Sequence, residues 1–134
     1  MSGDRQAGTW QPLRFRDYDA FGHVYHAEYL TLLDEVRTGF FREALAMRDP
    51  SGYVVAHLEI DYLSPLTRDD HAVRGTFVVE RVGTSSLTLG ETLHGPDGRD
   101  VARGRSVVVL RDVAAGRSRP LDDDERARAE GLLQ

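Results

Sequence analysis

Between Arg16 and Tyr29 the chain sets two carboxylates, Asp17 and Asp19, close to two histidines, His23 and His26, with Gly22 between and Tyr18, Phe21 and Tyr25 interleaved. Such a set can do acid–base or nucleophilic chemistry. A carboxylate can take a proton or attack an electrophile, and an imidazole titrates near neutrality. Asp17 and Asp19 lie two positions apart, so in an extended loop their side chains would share a face, and like charges held close would raise one pKa. The stretch then runs into the longest helical pattern in the chain. The first N–H groups of a helix lack intrahelical partners and carry partial positive charge, so they can receive a developing oxyanion. Taken singly, each residue has a plainer role. Asp19 can cap the turn before the helix, Gly22 can serve a backbone conformation other residues resist, His26 can bond a neighbour, and His23 can brace the loop.

The elements that must position this loop follow from periodicity. Thr9 to Phe15, with Trp10 and Phe15 as apolar anchors, predicts a short first strand, and Pro12 suits an edge. From about Ala27 to Met47, Tyr29, Leu33, Val36, Phe40, Ala44 and Met47 recur at steps of three or four, and Leu30, Phe41 and Leu45 widen the stripe. Gly39 inside this helix predicts close approach to another backbone. Asp49-Pro50-Ser51-Gly52 is a stop signal. Four strands joined by tight turns should follow: Tyr53 to Leu63, Ala72 to Val82, Ser85 to Leu93 and Asp100 to Arg111. In the first, Val54, Ala56, Leu58, Ile60 and Tyr62 alternate with Val55, His57, Glu59 and Asp61. In the last, Ala102, Gly104 and Ser106 form a small face with room for the long helix. Asp122 to Glu125 places acid at the start of a short C-terminal helix, about residues 122–133. The expected class is α+β, one antiparallel sheet packed on one long buried helix, with residues 1–134 a single domain whose core is 9–112. Exposed edges on such a sheet predict pairing with a second copy.

Composition narrows the function. The chain has 134 residues, is 40% hydrophobic and 29% charged, and contains no cysteine, which excludes disulfides, thiolate nucleophiles and cysteine-ligated metals. A formal charge of −5 argues against a nucleic-acid partner. No apolar run approaches membrane-spanning length and no secretory core stands at the N-terminus, so no membrane partner and a cytoplasmic location are expected. All 17 basic residues are arginine, a sign of coding bias.

The run from Asp17 to Tyr29, with Glu35 and Arg37 following, resembles the signature of the 4-hydroxybenzoyl-CoA thioesterase family of hotdog-fold acyl-CoA thioesterases. Ile60-Asp61-Tyr62-Leu63-Ser64-Pro65-Leu66 and Arg81-Val82-Gly83-Thr84-Ser85-Ser86 are similar to the family's second-strand and hairpin segments. The resemblance implies a five-stranded sheet wrapped around the helix, a homodimer with a continuous sheet, and often a homotetramer. It implies an acyl-CoA substrate and no cofactor. By position it puts the catalytic carboxylate, nucleophile or general base, on Asp19, and a substrate-orienting histidine on His26, where the aryl-specific branch has a tyrosine. It puts the oxyanion donor among the N–H groups of Tyr25 to Ala27, and substrate contacts at Gly22, Val24, Tyr25 and Ala27. Arg81, Ser85 and Ser86 would meet the nucleotide or pantetheine, although an exposed hairpin carries such residues anyway; for Glu35 and Arg37 the plainer reading, a buried or interface ion pair, outweighs a chemical role. The chemistry is consistent with this by itself: a thioester carbonyl is electrophilic and its thiolate leaves readily, so one carboxylate and one oxyanion donor suffice without a triad. Asp17, Asp19, His23 and His26 are types that bind metals, but no pattern completes a ligand set, and no metal is expected. The rival readings are a non-catalytic acyl-thioester binding protein, an acyl-carrier-protein thioesterase and, lowest, a hotdog dehydratase or hydratase.

Overall fold

The computed structural model describes residues 9–134. β1 (Thr9–Pro12) leads through a 3-10 turn at Phe15–Asp17 and a polar loop into α1 (Glu28–Ala44). β2 (Tyr53–Tyr62), β3 (Ala72–Val82), β4 (Ser86–His94) and β5 (Asp100–Asp112) follow, then β6 (Arg117–Ser118) and α2 (Asp123–Glu130). The sheet is antiparallel with spatial order β1-β3-β4-β5-β2, and β6 pairs only with the end of β5. This is the hotdog arrangement, a curled antiparallel sheet on one long helix. Among the described residues no helix is long and apolar enough to cross a membrane.

The core lies between α1 and the sheet. Leu32, Leu33, Val36, Phe40 and Phe41 of the helix meet Val73, Phe77 and Val79 of β3, Leu87, Leu89 and Leu93 of β4, and Val108 and Leu110 of β5. Phe40 stacks on Phe77 with ring centroids 4.8 Å apart. The helix buries only its sheet side: Thr31, Asp34, Glu35, Arg42 and Glu43 are exposed, and so is Leu30. Two glycines set the helix close to the sheet. A Cβ on Gly39 would stand 2.6 Å from Thr9 Cγ2, and one on Gly75 would stand 2.5 Å from Val36 Cγ2. The close approach expected at Gly39 is therefore present, and a β1 side chain fills the space instead of a backbone.

Several local expectations are corrected. β1 stops at Pro12, because the next residues turn to form the Arg14–Asp17 contact, though Pro12 does lie at a sheet edge. α1 ends at Ala44, ahead of the Asp49-Pro50 signal, with Ala46 in the left-handed region (φ 55°). β2 and β3 are not neighbours. The connection 63–71 crosses the end of the sheet, about 14 Å at three strand spacings, and β2 pairs with β5. A bulge at Ala56 also breaks the alternation in β2. Val55 pairs with Val108, and Leu58 and Ile60 pair with Ser106 and Gly104, so these three share the helix side and Val54 does not. The expected C-terminal helix is present, with a capping box between Asp122 and Glu125.

Candidate active site

The loop before α1 is tied down at nearly every residue. Asp17 is fully buried and points at Arg14, accepting from its backbone N–H at 2.8 Å and its guanidinium at 3.0 Å. The crossover 63–71 forms the floor. The Val24 N–H donates to the Leu66 carbonyl, the Arg68 N–H donates to Gly22, and His23 pairs with Thr67. The floor is itself pinned by Asp70, which accepts the Thr67 N–H and two bonds from the Arg99 guanidinium at 2.8 and 3.0 Å.

Asp19 stands half-buried at the head of a tight turn. Its carbonyl accepts from the Gly22 N–H at 3.1 Å, and its own N–H donates to the His23 carbonyl at 2.7 Å. Gly22 has φ +79°, the left-handed conformation for which a glycine suits this position. The side chain follows: Oδ1 accepts the N–H groups of Phe21 at 2.8 Å and His23 at 3.2 Å. Oδ2 accepts no hydrogen bond among the described residues, so one oxygen is anchored while the other is open. The paired-carboxylate expectation fails, because the 3-10 turn at Phe15–Asp17 sends Asp17 inward to Arg14 while Asp19 stays in the outer turn.

The start of α1 is uncapped. Its N-cap is Ala27, whose side chain cannot accept a hydrogen bond. The N–H groups of Glu28, Tyr29 and Leu30 donate to the carbonyls of Tyr25, His26 and Ala27, and the Tyr25 N–H donates to Asp17. Among the described residues the amides of His26 and Ala27 have no acceptor, so of the segment Tyr25 to Ala27 these two keep free donors. His26 is exposed, its ring 4.5 Å from that of Tyr25 and 6.3 Å from that of Tyr62, and among the described residues neither ring nitrogen is hydrogen-bonded. Tyr25 is exposed as well, whereas the Val24 side chain is buried in the core.

Arg81, Ser85 and Ser86 lie elsewhere in this protomer. The β3–β4 hairpin is at the opposite end of β3 from the site loop, about 30 Å along the strand. Their side chains make no hydrogen bond among the described residues. The hairpin backbone is braced by the C-terminal segment, the Leu121 N–H and the Arg126 guanidinium donating to the Thr84 carbonyl.

Glu35 does not partner Arg37. The Arg37 guanidinium, buried under the helix, is held bidentate by Glu91 of β4, whose carboxylate also accepts from Ser106 at 2.6 Å; Glu35 faces solvent. Sequence reading missed Glu91 and Tyr62 as partners of these elements. A glutamate alternating with leucines on a core-facing strand was the available signal for the first. Among the described residues no three His, Cys, Asp or Glu side chains converge as a metal-ligand cluster.

Comparison with known proteins identifies the superfamily and the fold. Residues 13–129 match the model of the thioesterase-like superfamily, and the chain belongs to that superfamily. It is similar to a thioesterase of Thermus thermophilus determined in complex with coenzyme A and zinc, at 30% identity and a TM-score of 0.80, over 93% of this chain and 92% of that one. The PA5185 protein of Pseudomonas aeruginosa shares the fold at 22% identity and a TM-score of 0.84, over 98% and 94% of the two chains. The uncharacterized protein YsmA of Bacillus subtilis is 28% identical over 116 residues, 85% of this chain and 78% of that protein.

Proposed function

We propose that the protein hydrolyses an acyl- or aryl-CoA thioester to the free acid and coenzyme A, as a member of the 4-hydroxybenzoyl-CoA thioesterase family. The observation that carries this reading is the pairing of an anchored carboxylate with an open oxygen, Asp19, and two unclaimed amides, His26 and Ala27, in one short loop. The Asp19 carboxylate either attacks the thioester carbonyl or takes the proton of a water that does. The carbonyl π electrons move to oxygen, where an amide of the helix start receives the charge. Collapse of the adduct breaks the C–S bond and expels the coenzyme A thiolate. If Asp19 attacks, water then hydrolyses the resulting anhydride and regenerates the carboxylate.

The same reading assigns a dimer. Among the described residues the outer edge of β2 is unpaired, with Val54 and Val55 exposed, and Phe15 and Phe21 beside the site loop are almost fully exposed. A two-fold axis through β2 would extend the sheet antiparallel and turn one copy's Arg81, Ser85 and Ser86 toward its partner's Asp19. That arrangement supplies the hairpin contacts a single protomer lacks, and a tetramer would assemble from such dimers.

The test is thiol release from short, medium, long and aryl CoA thioesters, with Asp19→Asn as the blank. The substitution is expected to lower turnover by about 10²–10⁴-fold while the protein stays folded. Near-normal turnover in folded Asp19→Asn removes Asp19 from the reaction. Tight binding of CoA esters without thiol release by the unaltered protein favours a binding protein instead.

A further inference from the structure

We infer that Tyr62 is a positioning residue for the oxyanion donor, an inference that rests on the proposed hydrolase reading. Tyr62 is the last residue of β2, on an element far in sequence from the site loop. Its phenol donates to the His26 carbonyl at 3.2 Å, and the same carbonyl oxygen accepts the Tyr29 N–H at 3.3 Å.

The His26 carbonyl and the Ala27 N–H belong to one planar peptide unit and point in opposite directions. Whatever holds the carbonyl therefore aims the amide. At an uncapped helix start the terminal turn frays, so the backbone bond at 3.3 Å does not by itself fix the peptide. Tyr62 adds a second hold from the sheet. Two donors on the carbonyl also polarise the peptide and make its N–H the stronger donor.

Tyr62 is supported in turn. Its ring meets that of Tyr29 edge-on, with centroids 5.2 Å apart and planes at 80°. The Tyr29 hydroxyl accepts the Leu66 N–H at 3.1 Å, and burial raises the Tyr29 phenol pKa, so it stays a neutral hydroxyl across the working range. The floor of the site loop, two tyrosines and the His26 peptide thus form one continuous chain of contacts that ends on an unclaimed amide.

The experiment compares wild type, Tyr62→Phe, which keeps the ring and deletes the hydroxyl, and Tyr62→Leu, which deletes both. With the CoA thioester the wild type turns over fastest, Tyr62→Phe is expected to lose about tenfold in kcat, the size of one hydrogen bond, with KM within about twofold. Tyr62→Leu should show the same kcat deficit with a lower Tm. In ¹⁵N-labelled protein the Ala27 amide resonance should move in Tyr62→Phe while the Leu66 amide stays. An unchanged kcat, an unmoved Ala27 amide, or a KM rise with kcat intact overturns the inference, the last by making Tyr62 a substrate contact. Wild-type protein that releases no thiol from any thioester removes the hydrolase reading and this one together; active wild type with an unaltered Tyr62→Phe removes this one alone.

Discussion

Arg37 of α1 and Glu91 of β4 form a bidentate ion pair across the helix–sheet interface, Nε to Oε2 at 2.7 Å and Nη2 to Oε1 at 2.8 Å, with both side chains essentially inaccessible to solvent. Burial works against the guanidinium's charge, but the hydrogen bonds and charges of Glu91 and Asp34 outweigh it and raise its pKa. The pair tolerates this burial because each of its side-chain nitrogens and oxygens has a partner: Ser106 also serves Glu91, and Asp34 accepts from the Arg37 nitrogen that Glu91 leaves free. Glu91→Gln should destabilise the protein by about 3–5 kcal/mol, the usual cost of leaving one buried charge without its partner. The double change Arg37→Met with Glu91→Leu should recover most of that loss. Urea midpoints at constant m-value read both.

Gly39 and Thr9 are in contact where α1 crosses β1. Gly39→Ala would gain about 1 kcal/mol in helix propensity yet should be destabilising by about 1–3 kcal/mol, because the added methyl meets Thr9 Cγ2. Thr9→Ala in the same background should restore stability, a coupling that thermal melts of the four-member cycle resolve.

Acid should destabilise the protein in part through Asp70 and Glu125, the most buried of its depressed carboxylates. Hydrogen bonds from Arg99 hold the Asp70 pKa below its ordinary 3.8, and those from Arg119 hold the Glu125 pKa below 4.5. A depressed carboxylate contributes stability that is complete above its unfolded pKa and is lost as pH falls through the folded value. Tm should therefore be level from pH 7 to about 5 and fall below about 4.5. Arg99→Gln and Arg119→Gln should each lower the plateau and make the acid fall shallower. An acid slope unchanged in both variants would assign the acid loss to other groups.

Lysines on the open edge of β2 test the dimer. Val54→Lys with Val55→Lys would set like charges against each other across a two-fold axis, as natural edge strands do to block pairing. Sedimentation velocity should show a shift to monomer, accompanied by loss of most turnover if each site draws on both copies. A dimer that survives with full activity places the interface elsewhere.

Much of this protein is legible one residue at a time. The period of three to four from Tyr29 to Ala44, the β runs and the acidic cap of α2 depend on local propensity and patterning, and apart from the early end of α1 and the bulge in β2 they fold as those patterns indicate. Asp19, Gly22 and the helix start are legible for the same reason. An aspartate, a glycine in the left-handed region and an uncapped helix N-terminus are properties of a few consecutive residues.

Partnership across space is not written locally. Arg37 chooses Glu91, 54 positions away, over the nearby Glu35, because only Glu91 faces the helix once β4 is placed. Asp17 turns to Arg14 instead of Asp19 because a 3-10 turn, not an extended strand, carries it. The bulge at Ala56 puts Val55 instead of Val54 on the helix side of β2, and Tyr62, at the strand's end, reaches the His26 carbonyl from 36 positions away. The sequence alone settled which groups are available for chemistry, since that depends on side-chain type and near neighbours. Tertiary structure decided which of them are neutralised, braced or left open, because those outcomes depend on strand register and on the crossover beneath the loop.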